Sequence, residues 1–310
     1  MRIAVPDLIS NSYFPAVAAV ELGFFKAEGL DADLQHIFPV SKTMEALRDG
    51  DLDFVAGSAH ATLAAFPGWE GAKLVAALSQ RMYWLLVLRS ELGAAKGDVQ
   101  AVKGLRIGAA PGLDLALRRL LAEEGIDTVR DRVEIGPVPG AGSPGVSFGV
   151  HAASLLETGS IDGFWANAMG CEVAVRSGAG TVILDVRRGL GPIASQNYTF
   201  PALVTTDAKI AQDAEGVAAA VRAVVKAQKA LRADPSLATE VGLSAFGGFP
   251  PEQAALIEGL VERDLPYYDA SISEDVVTSM NRFARDIGLL SQPVAYHQVV
   301  ATQFIGLWAE

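Results

Sequence analysis

Arg2-Ile3-Ala4-Val5-Pro6 opens the chain as a short apolar strand, and Glu28-Gly29-Leu30-Asp31 closes the helix-like run that follows it. The same order returns farther along. Arg106-Ile107-Gly108-Ala109-Ala110-Pro111 reads as a strand, Leu113 to Glu124 as a helix, and Glu124-Gly125-Ile126-Asp127 as its close. A second strand follows each closure, over 32–37 in the first copy and 132–135 in the second. Each copy then continues in parallel. Ala46-Leu47-Arg48-Asp49-Gly50-Asp51-Leu52-Asp53-Phe54 matches Leu155-Leu156-Glu157-Thr158-Gly159-Ser160-Ile161-Asp162-Gly163-Phe164. In both, a helix end meets a glycine suited to the left-handed position beyond a helix, and an Asp-led strand follows. A β-α-β-α-β pattern that recurs after about a hundred residues is too long for a solenoid and implies two similar α/β lobes.

Strands alternating with helices imply a mainly parallel sheet in each lobe, flanked by helices, with right-handed crossovers. Ligands of such sheets sit beyond the carboxyl ends of the strands, so two lobes are expected to face each other across a cleft. Tyr83–Arg89 and Phe200–Thr206 are strand-like and flank the second copy, which makes them the expected two-strand hinge. Residues 1–87 with 205–310 then form one discontinuous lobe, and 88–204 the other. Helical spacing over 208–233, stopped by Asp234-Pro235, a helix from Pro250-Pro251-Glu252 and another capped by Ser273 imply helices returning to the first lobe.

With 310 residues, half of them apolar, the chain has globular composition. Its net charge of −11 argues against nucleic acid or an anionic membrane as partner. Every apolar stretch is interrupted well short of the roughly 20 residues a membrane helix needs. The lone Cys171 excludes an internal disulfide and a cysteine-based metal cluster. His36, His60, His151 and His297 lack metal-ligand spacing, so no metal or other cofactor is expected. Neither a phosphate-binding P-loop nor the Gly-x-Ser-x-Gly elbow of hydrolases is present. Met1-Arg2 leads directly into a strand with no leader-like segment. The location is therefore periplasmic if a leader has been removed, and cytoplasmic otherwise.

The run Phe14-Pro15-Ala16-Val17-Ala18-Ala19-Val20-Glu21-Leu22-Gly23-Phe24-Phe25-Lys26-Ala27-Glu28-Gly29-Leu30-Asp31 resembles the N-terminal signature of the SsuA/THI5-like (NMT1-like) substrate-binding proteins. Residues 46–58, Val102-Lys103-Gly104-Leu105-Arg106-Ile107-Gly108 and the stretch 217–231 resemble that family too. The resemblance implies a type II periplasmic-binding fold serving an ABC importer, with a membrane permease as partner and a monomeric capture protein. Cargoes in that family include sulfonates, nitrate, aromatic carboxylates and thiamine pyrimidine precursors. Some relatives are enzymes on the same fold, a pyrimidine synthase and a desulfinase. The desulfinase's nucleophilic cysteine falls near Ser12 here, and the synthase's cysteine-rich motif is absent.

The strand-end loops carry the candidate ligand contacts. Asn11, Ser12 and Tyr13 precede the first helix, where they either cap it or present its amides to an anion. Phe38 is a candidate pocket wall, and Ser41 a helix cap or a contact. Ser58 and His60 lie in a loop of small residues after the third strand, with His60 either structural or an acid–base group. Arg81 offers a planar fork for a carboxylate or sulfonate, or packs its stem on Tyr83. In the second copy the corresponding groups are Gly112, with Asp114 as a helix cap, Trp165 either stacking on a planar ligand or packing in the core, Asn167, and Asn197 before the second crossing strand, as a contact or a turn. The Gly/Pro-rich run 136–149 is either a lid or a surface loop. Together these imply a binding protein for a small aromatic or planar carboxylate or sulfonate. The alternative is an enzyme on the same fold using His60 as acid–base.

Overall fold

The computed structural model describes residues 1–141, 147–247 and 251–309, with the side chains of 251–253 outside the description. Residues 142–146 of the Gly/Pro-rich run and Pro250 therefore fall outside the described residues. The chain divides into two compact units, 1–81 with 197–310, and 82–196.

Unit 1 holds a five-stranded sheet. Its strands are β1 (Arg2–Val5), β2 (Asp33–His36), β3 (Phe54–Ser58), β4 (Ala72–Ala77) and, from late in the chain, β10 (Pro201–Thr206). Unit 2 holds β5 (Leu85–Arg89), β6 (Arg106–Ala109), β7 (Glu134–Gly136), β8 (Gly163–Ala166) and β9 (Gly180–Asp185). The orders are β2-β1-β3-β10-β4 and β7-β6-β8-β5-β9, which are identical once β6 is matched to β1. Within each sheet β1, β2 and β3, or β6, β7 and β8, run parallel, while β10 and β5 run antiparallel to both neighbours. The mainly parallel sheets expected from the sequence are thus present. Each antiparallel strand is supplied by the chain just after it leaves the other unit. Both are buried between two neighbours of one sheet, so the units divide at 81/82 and 196/197, ahead of the crossing strands rather than at 87/88 and 204/205.

The duplication extends to individual hydrogen bonds. Gly29 and Gly125 have φ of 80° and 75°, and the amides after them bond back five residues, Leu30 to Phe25 and Ile126 to Leu121, each at 2.9 Å. Such a turn requires a left-handed residue, which glycine adopts without a Cβ clash. Asp53 Oδ2 accepts the backbone N–H of Arg2 at 2.7 Å, and Asp162 Oδ2 that of Arg106 at 3.0 Å. Arg2 Nη2 and Arg106 Nη2 donate to the carbonyls of Gly50 and Gly159 at 2.8 and 3.0 Å. The Asp that leads the third strand of each copy therefore ties it to the first strand. That is structural work at the amino pole, opposite the strand ends that face ligands.

Several helix limits differ from the sequence reading. The first run breaks into Phe14–Glu21 and Phe24–Ala27 at Gly23, where φ is 73°. The long helix splits into Asp207–Gln212 and Ala214–Ala233, because Asp213 turns out of the helix and its carboxylate accepts from Gly216 N at 2.9 Å. Helices Pro251–Asp264 and Glu274–Asp286 follow where the sequence implied them, while Leu237–Ala245 and the short Tyr296–Val299 were not expected from it.

The hydrogen bonds from Arg106 hold the Asp162 carboxyl below the usual carboxylate range, against the opposing effect of burial. A folded pKa below the unfolded value gives stability that is present above the unfolded pKa of about 4 and is lost as pH falls through the folded one. Asp162→Asn should therefore lower stability near pH 7 by on the order of 1–2 kcal/mol. The gap to the parent should narrow as the pH drops below about 4. Thermal melts across pH test this, and a pH-independent gap would refute it.

Candidate functional site

At the carboxyl pole of the unit 1 sheet, several chain segments meet. The loop after β1 contributes Ser10, Asn11, Ser12 and Tyr13, all buried. The helix after it begins at Phe14 with Tyr13 in the cap position and no side-chain capping bond, so neither Asn11 nor Ser12 is its cap. Asn11 instead donates from Nδ2 to Asp264 Oδ2, and its backbone carbonyl accepts from Tyr268 Oη at 2.6 Å. Tyr13 Oη and Ser58 Oγ are 3.2 Å apart and share a hydrogen bond, linking the loops after β1 and β3.

His60, 2 % exposed, sits in the short turn after β3. Its Nδ1 lies 2.9 Å from Thr199 Oγ1, just ahead of β10. The ring stands edge-on to Phe283 at 5.5 Å, and Phe283 stacks on Tyr198 at 4.5 Å. The imidazole is thus held by a hydroxyl on one nitrogen and by aromatic walls.

Arg81, after β4, is exposed with φ of 65°. Its guanidinium lies over the Tyr267 ring at 5.7 Å. Tyr267 also accepts Gln80 N through its carbonyl at 2.7 Å. Segment 264–271 thereby secures both the loop after β1 and the loop after β4.

Ser41 is not a helix cap. The helix Val40–Arg48 starts one residue earlier, with the extended Pro39 in the cap position, because Pro supplies no N–H and fixes φ ahead of the first turn. Phe38 is half-buried beside it.

Unit 2 presents its own carboxyl pole. Gly112 has φ of 86° and donates its N–H to Asp114 Oδ1 at 3.1 Å. Asp114 lies inside the helix that begins there, with Leu113 in the cap position, so the expected Asp114 cap is replaced by a turn bond back to Gly112. Asn167 caps the helix Ala168–Arg176, its Oδ1 accepting Met169 N at 3.2 Å. Trp165 is fully buried, packed edge-on against Trp84 at 6.2 Å. Its face is therefore turned to protein, and its Nε1 is a buried donor with no acceptor among the described residues. Asn197, half-buried, ends a short 3-10 turn at the start of the second unit 1 segment.

Two groups escaped the sequence reading. Arg187, 2 % exposed, follows β9 with its guanidinium over the Tyr83 ring at 5.6 Å. It lies two residues beyond β9, whereas Arg81 lies four beyond β4, so the duplication marked the region but not the position. The second is the Asp264–Tyr268 segment, for which no local pattern existed. No group of three or more metal-ligating side chains occurs among the described residues.

Comparison with known proteins places this arrangement in a family. The NMT1/THI5-like family model matches residues 10–238. Among solved structures, a protein of Bordetella bronchiseptica RB50 aligns with TM-score 0.72 and 22% identity, covering 97% of this chain and 92% of that one. The alkanesulfonate-binding protein SsuA from Xanthomonas axonopodis pv. citri, bound to MOPS, aligns with TM-score 0.70 and 16% identity over 98% of this chain and 96% of that one. The desulfurization enzyme DszB aligns with TM-score 0.65 and 15% identity over 98% and 97%. A search of the curated proteins gives no significant match. At these identities the structural likeness establishes the periplasmic-binding-protein fold, and DszB shows that an enzyme also uses it. The chain belongs to the NMT1/THI5-like family.

Proposed function

We propose that this chain is a solute-binding protein that captures a small organic anion, an aromatic or planar carboxylate or a sulfonate, and delivers it to an ABC-type permease. It acts as a monomer in the periplasm. The observation that carries this reading is the set of buried polar pairs at the carboxyl pole of unit 1, Asn11–Asp264, Tyr13–Ser58 and His60–Thr199. Ligands of parallel α/β sheets sit at that pole, and a few oriented polar groups on an apolar floor are the usual composition of a small-molecule site. Arg81, exposed in unit 1, supplies a planar donor fork suited to an oxyanion. The likeness to the alkanesulfonate-binding protein SsuA bound to MOPS supports the sulfonate part of this class.

A second reading follows from the immobilised His60 and from the likeness to DszB. There the chain is an enzyme with His60 as acid–base. Native mass spectrometry of freshly purified protein, with identification of whatever is released on denaturation, separates the two. One unmodified organic acid at about one equivalent is expected. A covalent adduct or a substrate–product mixture would sink the binding-protein reading in favour of catalysis. His60→Gln should then abolish turnover, whereas in a pure binder it changes affinity alone.

A further inference from the structure

We infer that Thr199 is a positioning residue that holds His60 in the neutral tautomer with its proton on Nε2, so that the imidazole serves as a hydrogen-bond donor and not as a base. This rests on the reading that puts His60 at the site, and it bears on both forms of that reading, binding and catalysis. The two residues come from strand ends that the topology makes neighbours. His60 follows β3 and Thr199 precedes β10, and these strands pair antiparallel with Ser58 opposite Pro201. Ala59 N donates to the Phe200 carbonyl at 2.9 Å, which carries the pairing to within one residue of both.

Proton bookkeeping at this pair selects the tautomer. Thr199 is fully buried, and its hydroxyl has His60 as its sole hydrogen-bond partner among the described residues. Thr199 Oγ1 accepts the backbone N–H of His60 at 3.4 Å and lies 2.9 Å from Nδ1. A hydroxyl carries one proton, and a buried one is costly to leave without an acceptor. Nδ1 is the acceptor at hand, so it takes the O–H and is itself unprotonated. A neutral imidazole with a bare Nδ1 carries its proton on Nε2. The opposite tautomer, and equally the imidazolium, would turn an N–H toward Thr199 Oγ1 and leave the hydroxyl proton unmet. Phe283, edge-on to the ring at 5.5 Å and itself stacked on Tyr198 at 4.5 Å, walls the imidazole in place. Neither ring nitrogen then offers a free lone pair. His60 begins any chemistry as an acid, and for it to abstract a proton through Nδ1 the Thr199 bond must break first.

The test is long-range proton–nitrogen correlation NMR of the full chain with isotope-labelled histidine near pH 7. His60→Gln identifies the His60 signals among those of the four histidines. The parent should show the ring proton on Nε2, with the other tautomer below about a tenth of the population, because the unmet hydroxyl costs roughly that factor or more. Thr199→Val keeps the shape and removes the hydroxyl, so the Nδ1–H form should rise by about threefold or more. Thr199→Ser restores the O–H and should return the parent pattern, a rescue that a purely packing role of Thr199 would not produce. A proton on Nδ1 in the parent, a doubly protonated ring, or a tautomer ratio unmoved in Thr199→Val overturns the inference. Should Thr199→Val fold poorly, the parent and Thr199→Ser spectra decide by the position of the ring proton. These spectra need no ligand, so solute binding stands or falls separately, on the molecule released in the mass-spectrometric experiment.

Discussion

Gly170→Ala is expected to lower the stability of unit 2 by about 3 kcal/mol, at the upper end of the usual overpacking range. A Cβ on Gly170 would fall 2.3 Å from both the carbonyl carbon and the oxygen of Gly149. The obstacle is backbone, so no side chain can swing aside. The helices Phe148–Glu157 and Ala168–Arg176 touch at this pair of glycines. Relief requires them to separate, which disturbs the first turn of each at the strand-end pole. A fall in the thermal midpoint on the order of 10 °C is expected. Gly259→Ala supplies the contrast. It lies on the exposed side of the helix Pro251–Asp264, and a Cβ there meets nothing within 4 Å. That substitution removes only glycine's extra unfolded freedom and should stabilise by roughly 0.5–1 kcal/mol. If both variants melt alike, the close helix contact is not what demands glycine at 170.

Asp264→Ala is the second large expected effect. Asp264 is fully buried and accepts from Asn11 Nδ2. Its removal leaves the Asn11 amide buried without that acceptor and frees the loop that ends in Tyr13. A destabilisation of about 2–4 kcal/mol is expected, from the unmet donor and the loss of a buried charged partner. Ligand affinity should fall by roughly a hundredfold, since a site displaced by an ångström loses that order of magnitude. Asp264→Asn retains an acceptor of the same shape and should recover most of the stability. Parent-like affinity in Asp264→Ala would show that the loop after β1 does not depend on the C-terminal segment and would weaken its assignment to the site.

The two-unit α/β architecture was legible because duplication makes a sequence its own control. The Gly29/Gly125 and Asp53/Asp162 pairs each perform one local task twice. A left-handed turn or an Asp bonded to a neighbouring strand leaves a trace at fixed spacing. The loops likewise followed from strand ends: Tyr13 and Ser58 meet in unit 1, while Asn11 and His60 pair with Asp264 and Thr199. Local reasoning failed at helix starts. Ser41 read as a cap, yet Pro39 already ends the extended stretch and the helix begins at Val40.

Tertiary structure alone decided what each site group touches. The sequence placed Arg81 and Trp165 near strand ends, but did not show that Trp165 is fully buried and edge-on to Trp84, its indole N–H without an acceptor among the described residues. Nor did it show that Tyr83 pairs with Arg187 and Tyr267 with Arg81. The Asn11–Asp264 bond joins residues 253 positions apart, a distance at which periodicity and capping carry no information. Backbone patterns are set by interactions within a few residues and are written in order along the chain. The partners of buried polar side chains are set by which segments pack against one another, and this chain brings them from its opposite ends.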